Sequence, residues 1–398
     1  MKQIYLDHNA TTQVATEVLE AMLPYFSEKF GNASSLHAFG RDAKVGLENA
    51  RETCAEVLGA EPAEIVFCSG GTEADNLLLK GAAHALKAKR NRIVISSIEH
   101  PAIAQSAAQL AHEGFDVQTV PVSSDGFVSP EDLSALVNDN TALVSIMFAN
   151  NEIGTAQDIP ALVEIAHQQG ALFHTDAVQA FGKIPVSIEK LGVDMLSLSA
   201  HKIYGPKGMG LAYVRSGVKI DSLVQGGSHE KSRRPGTENV PGAIGMAKAM
   251  ELAAESVASE YVRLNDLSRL FLRRIREQVA DVTLNGPEFG EGAMPEKITR
   301  TPQTVNLSFA GAEGEALILS LDLEGVAVSS GSACSSGAVD PSAVLLAIGQ
   351  TPELAKSSIR FSLGRHTTEE DIKHVTEILP PIIERLRRMS PAYANARR

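Results

Sequence analysis

The stretch Leu196-Ser197-Leu198-Ser199-Ala200-His201-Lys202-Ile203-Tyr204-Gly205-Pro206-Lys207-Gly208 decides how the rest of the chain is read. The apolar run at 195–198 predicts a buried strand. It stops at Ser199, His201 and Lys202, passes turn chemistry at Gly205-Pro206 and Gly208, and is followed by a second apolar run at 211–214. A lysine at the end of a buried strand, beside a histidine and glycines, is badly placed for a surface charge. Burial lowers a lysine's pKa and makes its amine a nucleophile able to form a Schiff base. Taken singly, Lys202 reads equally well as a solvated loop lysine, which is the reading given to Lys207.

Outward from that stretch, short apolar runs recur at 65–68, 92–96, 117–120, 143–149 and 171–174, with helical patterns at 73–88, 102–112 and 161–168. Strands alternating with helices predict an α/β fold, a large domain with a mostly parallel seven-stranded sheet flanked by helices. Ligands of such sheets bind beyond the carboxyl ends of the strands. A helical stretch at about 242–280 has the length to link this unit to a smaller α/β one at 281–380, with runs at 304–309 and 359–363. The segment 41–59 reads as a helix with Cys54 on its core side. The tail from Ser390 reads as frayed.

Composition narrows the function classes. The chain has 398 residues, 44% apolar and 21% charged, with a formal net charge of −12. That balance, without a basic stripe, argues against nucleic acid. No segment approaches the ~18 apolar residues of a membrane span, and the N-terminus has no long apolar leader. Three cysteines, Cys54, Cys68 and Cys334, without CxxC or zinc spacing, give neither a disulfide framework nor a metal site. A cytoplasmic protein is expected.

The strand ends supply the candidates. After the run at 65–68 comes Ser69-Gly70-Gly71-Thr72-Glu73-Ala74-Asp75-Asn76. Thr72 with Asp75 reads as a helix N-cap pair, and the glycines let backbone N–H groups approach a phosphate. The alternative is an ordinary capped helix. His100 follows the next run and is either a ring-packing or proton-moving group or a satisfied loop histidine. Asn150-Asn151-Glu152 and Thr175-Asp176-Ala177-Val178-Gln179 follow two more. A carboxylate such as Asp176 at a buried strand end needs a cationic or hydrogen-bonding partner. Arg360 suits bidentate capture of a carboxylate, or a surface ion pair. Cys334, in Val328-Ser329-Ser330-Gly331-Ser332-Ala333-Cys334-Ser335-Ser336-Gly337, reads as a thiol on a flexible, accessible loop, which is what a reactive thiol needs, or as an incidental loop cysteine. Lys202, Asp176, Thr72 with Ser199 and His201, and His100 together match what pyridoxal phosphate needs: a Schiff-base lysine, a carboxylate for the pyridine nitrogen, phosphate donors and a group against the ring.

At this point the chain resembles the cysteine desulfurases, pyridoxal-phosphate enzymes of fold type I in the class V aminotransferase group. The resemblance spans nearly the whole chain and rests on LDHNATT, SGGTEADN, NNEIGT, HTDAVQ, SAHKIYGPKG, RRPGTENVPG, SSGSACSSG and IRFSLGR. It is closest to the nitrogen-fixation type with the longer cysteine loop. The resemblance implies a large domain at 15–255 and a small one made of 1–14 and 256–398. Lys202 then holds pyridoxal 5'-phosphate and moves the Cα proton, Asp176 pairs with the pyridine nitrogen, Gln179 reaches the phenolic oxygen, and His100 stacks on the ring and serves catalysis by handling protons. Gly71, Thr72, Ser199 and His201 bind phosphate with Thr237 of a homodimeric partner. Asn151, Arg360 and Asn32 receive L-cysteine.

Cys334 takes its sulfur as a persulfide, leaving L-alanine, and passes it to an iron–sulfur scaffold or another acceptor. No metal is implied, a transient contact of Cys334 with an iron–sulfur cluster aside. Two departures stand out: Gly227-Ser228-His229-Glu230 replaces the usual Gly-Gly-Gln-Glu, and the tail after Leu379 is short. The rivals are another class V enzyme, such as a selenocysteine lyase or aminotransferase, and a sulfur carrier on a degenerate enzyme fold.

Overall fold

The computed structural model describes residues 2–330, 340–390 and 393. The seven apolar runs form one sheet in the order β2-β8-β7-β6-β5-β3-β4. Its strands are β2 (Ile65–Cys68), β3 (Arg92–Ser96), β4 (Asp116–Val120), β5 (Thr141–Ser145), β6 (Leu172–Asp176), β7 (Met195–Ser199) and β8 (Gly210–Val214). β8 runs antiparallel to β2 and β7, and the remaining pairs are parallel. Helices cover both faces, so β5, β7 and β8 are buried throughout, which is why they read as apolar runs rather than alternating ones. Only the first part of the run at 143–149 is strand. Beyond Ser145 the chain leaves the sheet while staying buried.

Alternation sorts the strand residues between two cores. Phe67, Phe173, Leu196 and Leu198 join one, which includes the helix Ala38–Leu58. Val66, Cys68 and Met195 join the other, beneath the helix Gly71–Leu86. Because side chains alternate along a strand, His174, Asp176, Ser197 and Ser199 fall on this second face.

A separate three-stranded antiparallel sheet, β12-β10-β9, combines β9 (Val282–Asn285), β10 (Thr304–Phe309) and β12 (Ser358–Ser362). The N-terminus belongs with it. β1 (Ile4–Tyr5) pairs in parallel with β11 (Val326–Ala327), and Ile4 and Leu6 lie in the same core as Val305, Leu307 and Phe361. The 39-residue helix Val240–Gln278 joins the two halves. Val240, Met246 and Met250 pack in the larger core, while Leu264, Phe271 and Ile275 pack in the smaller. The final helix, Glu369–Met389, passes through Pro380 and Pro381, residues that ordinarily break or kink a helix interior. Two turns of buried apolar residues before the prolines and Ile382 and Ile383 after them hold it in place. The expected frayed tail lies outside the described residues apart from Ser390 and Tyr393.

Candidate active site

β7 ends at Ser199, and a single 3-10 turn, Ala200–Lys202, brings Lys202 back across the strand ends. The segment at 9–12 closes over it. Lys202 Nζ donates to the carbonyls of Asn9 (2.6 Å) and Ala10 (2.8 Å). Gln179 Nε2 donates to the same Asn9 carbonyl at 3.0 Å. The Thr12 backbone N–H and hydroxyl both donate to the His201 carbonyl. Lys202 is therefore half-buried and held, whereas Lys207 is exposed.

Asp176 ends the neighbouring strand and is buried, with Oδ1 accepting from the Val178 N–H at 2.9 Å. Burial raises its pKa, while the nearby charges of His100 and Lys202 pull it back. His100 sits at the start of the helix Pro101–His112, and its Nδ1 accepts from the Ala102 N–H at 3.1 Å. Half of this ring is thus a structural cap, and Nε2 is the nitrogen left for a ligand. Burial lowers its pKa, opposed by Asp176 and reinforced by Lys202. Glu99, next to it, is buried and turned inward, accepting from the Ser96 hydroxyl and the Met147 N–H.

The helix Gly71–Leu86 starts differently from the sequence expectation. Its N-cap is Gly70, with no side-chain cap, so Thr72 and Asp75 are not a capping pair. Thr72 lies in the first turn and Asp75 turns under the helix onto the sheet, because a residue there faces the core once the cap sits at Gly70. Glu73 instead reaches back to the Ser69 N–H at 2.6 Å. The helix N-terminus therefore keeps uncapped N–H groups, a natural anion site. A Cβ at Gly71 would come 3.0 Å from Val178 and 3.5 Å from Ser199 Cβ, so glycine keeps that mouth open. Ser199 Oγ is buried with no hydrogen-bond partner. His201 places Nδ1 3.1 Å from the Thr11 hydroxyl; burial, then Lys202 and Lys207, push its pKa down to about 4, leaving a neutral ring.

Arg360 is buried on β12, not at the surface. Nη2 contacts Asp7 Oδ1 at 3.0 Å, Nη1 donates to the Asn151 carbonyl at 3.2 Å, and Nε has no partner. Asn151 is tied in again through Asn9 Nδ2. Two expected residues are not brought here by this chain. Asn32 is exposed and its side chain closes a turn on the Ser34 N–H. Thr237 is exposed ahead of the helix Val240–Gln278. Cys334 lies outside the described residues. Asp7 and the carbonyls of Asn9 and Ala10 are site groups that sequence reasoning missed, although LDHNATT contains them. Among the described residues no cluster of His, Cys, Asp and Glu suits a metal ion, and no helix is long and apolar enough to cross a membrane.

The chain is similar to several known proteins. A cysteine desulfurase IscS from Dictyoglomus turgidum is 49% identical over 390 residues, covering 98% of this chain and 97% of that one. A solved NifS-like protein superposes with a TM-score of 0.88 at 38% identity, over 96% of this chain and all of the other. SspA in complex with cysteine aligns with a TM-score of 0.79 at 33% identity, over 92% of this chain and all of that one. The family model for class V aminotransferases matches residues 4–375, and the chain belongs to that family.

Proposed function

We propose that this enzyme is a pyridoxal-phosphate-dependent cysteine desulfurase that converts L-cysteine to L-alanine and keeps the sulfur as a persulfide on Cys334 for delivery to iron–sulfur cluster assembly. The observation that carries the reading is the set of strand-end groups around Lys202: an amine held on two carbonyls, a buried carboxylate, a ring nitrogen and an uncapped helix N-terminus beside an unpartnered serine hydroxyl. It matches the cofactor part by part.

Lys202 is the residue to hold the cofactor and to move the proton at the substrate Cα. Asp176 would hold the ring nitrogen protonated, and Gln179 would meet the phenolic oxygen. His100 Nε2 would lie against the ring. The N–H groups at Gly71 and Thr72, with Ser199 and neutral His201, would take the phosphate. When bound, pyridoxal phosphate draws electron density from Cα and Cβ. The unpartnered Nε of Arg360, with Asn151, would receive the substrate carboxylate. The Cys334 thiolate then attacks the substrate Sγ. The Cβ–S bond breaks, an S–S bond forms on Cys334 and Cβ takes up a proton, so that cysteine and one enzyme thiol give alanine and one enzyme persulfide.

The active form in this reading is a homodimer, with Thr237 and Asn32 acting at the partner's site. Support comes from the large apolar side chains left exposed between residues 19 and 45, among them Leu23, Phe26, Phe30, Leu36 and Phe39. The reading also divides the chain into a large domain at 15–255 and a small one at 1–14 and 256–398; the separate core that holds Ile4, Leu6, Val305, Leu307 and Phe361 supports it, while Tyr261 packs in the larger core. A cytoplasmic location accords with the free thiols of Cys54 and Cys68. Purified protein incubated with L-cysteine and a reductant should release alanine and sulfide in equal amounts. Transamination without sulfide would favour an aminotransferase instead, and an active monomer in sedimentation would exclude the shared site.

A further inference from the structure

Behind Asp176 the sheet carries polar groups that the mechanism above does not use. Asp75 is 1% exposed, and its Oδ1 has no hydrogen-bond partner; His174 Nε2 is 3.8 Å away. His174 is fully buried between two hydroxyls, with Nδ1 2.8 Å from Ser145 Oγ and Nε2 3.0 Å from Ser197 Oγ. Ser197 also lies near enough to the Asp75 carboxyl to lower its pKa, and it sits opposite Asp176 in the β6–β7 register. The order is Asp75, Ser197, His174, Ser145, and no lysine or arginine takes part.

A neutral imidazole has one donor and one acceptor nitrogen, and a hydroxyl has one proton to give. Such a file has two neutral-ring senses. If Asp75 is ionised, Ser197 donates to it, His174 Nε2–H donates to Ser197, and Ser145 donates to Nδ1. If Asp75 is protonated, each donor reverses: Asp75 gives to Ser197, Ser197 to Nε2, and Nδ1–H to Ser145. The first sense puts a second buried carboxylate charge behind Asp176. The charged groups that bear on the pair are Asp176 and Glu99, which raise the proton affinity of Asp75; His100 and Lys202 act on Asp176. Burial pushes Asp75 well above its ordinary value and His174 down to about 3, both toward their neutral forms. Two neighbouring carboxylates with different surroundings divide one charge between them.

We infer that Asp75, Ser197, His174 and Ser145 form a neutral file in which Asp75 keeps its proton and His174 is the Nδ1–H tautomer, so that Asp176 is the one carboxylate of the pair left ionised. This deepens the proposed function and rests on it for the role of Asp176. Asp75, Ser197 and His174 are positioning residues: they act on the cofactor site only through Asp176.

The tautomer of His174 reports the sense of the file without any turnover. The protein is labelled with nitrogen-15 histidine, with and without pyridoxal phosphate, and the His174 signals are assigned from their loss in His174→Gln. The expected result is Nδ1–H in both forms across the neutral pH range, with an infrared carboxylic-acid band that vanishes in Asp75→Asn. An Nε2–H tautomer, a doubly protonated ring, or no such band overturns the inference. In the loaded enzyme, Ser197→Ala should alter the pH profile of kcat while KM stays within about twofold; an unchanged profile removes the link to Asp176. An Nδ1–H tautomer in a protein that makes no alanine from cysteine would sink the proposed function while leaving the sense of the file standing.

Discussion

Glu230→Ala should unfasten the loop that leads to Thr237. Glu230 is buried, as is its partner: their side chains are 3% and 9% exposed. Its carboxylate accepts from Arg51 Nη1 at 2.8 Å, Arg51 Nη2 at 2.7 Å and the Phe67 N–H at 2.9 Å. Glu230, Lys231 and Ser232 all have positive φ, at 46°, 56° and 63°, a conformation that non-glycine residues keep only where contacts hold it. Removing the carboxylate leaves a buried guanidinium with Glu48 and the Ile65 carbonyl, and orphans a β2 amide. Breaking a buried pair costs about 3–5 kcal/mol.

With an unfolding entropy of roughly 2.1 cal/mol/K per residue over 398 residues, that loss lowers Tm by about 4–6 °C if the chain unfolds as one unit. Calorimetry and urea unfolding read the change. The double variant Arg51→Met/Glu230→Leu, which removes both charges, should recover at least about 1 kcal/mol of it. A loss below about 1 kcal/mol in Glu230→Ala would refute the view that this pair clamps the loop to β2.

Ser199→Ala should weaken pyridoxal phosphate binding by about tenfold or more, the worth of one hydrogen bond to a charged group; unchanged affinity in equilibrium dialysis would show that this hydroxyl does not meet the phosphate. Alkylation of the folded protein at neutral pH should label Cys334 and spare the other two thiols, since burial pushes Cys54 up to about 12 and Cys68 well above its ordinary value. Mass spectrometry finding label on Cys54 would contradict that. Burial raises the Glu99 pKa from 4.5 to about 8, so the folded state holds a proton there that the unfolded state has lost. The resulting stability is complete below pH 4.5 and is lost as pH rises through about 8, by a few kcal/mol at most (~1.4 per pKa unit). Glu99→Gln, which mimics the neutral acid, should flatten that slope in urea unfolding between pH 4.5 and about 8, and an unaltered slope would place the titration elsewhere.

The sheet is legible because its strands are buried on both faces and so stand out as apolar runs. Lys202, Asp176 and His100 are legible for the complementary reason, as polar groups just where such runs end. Other features carry no comparable signal. The carbonyls of Asn9 and Ala10 that hold Lys202 are groups any residue possesses, and the contact spans nearly two hundred residues. Arg360 alternates with apolar residues and so looks solvent-facing; its burial depends on Asp7, which arrives from the other end of the chain. Asp75 fits a capping pattern, yet the same spacing also describes a polar residue on the inner face of a helix, and only the position of the cap decides between them. Pro380-Pro381 argues locally for a helix end, but tertiary packing on the smaller core carries the helix through to Met389.

The central claim is that sulfur leaves the substrate for Cys334. The direct measurement is the mass of the peptide containing Cys334 after the purified enzyme has met L-cysteine without reductant, alongside alanine release by wild type and Cys334→Ala. The account predicts one added sulfur atom on that peptide and none on those containing Cys54 or Cys68, with the variant still binding cysteine and releasing almost no alanine. Alanine and sulfide produced by Cys334→Ala at the wild-type rate would contradict it and leave a lyase that needs only the cofactor and Lys202.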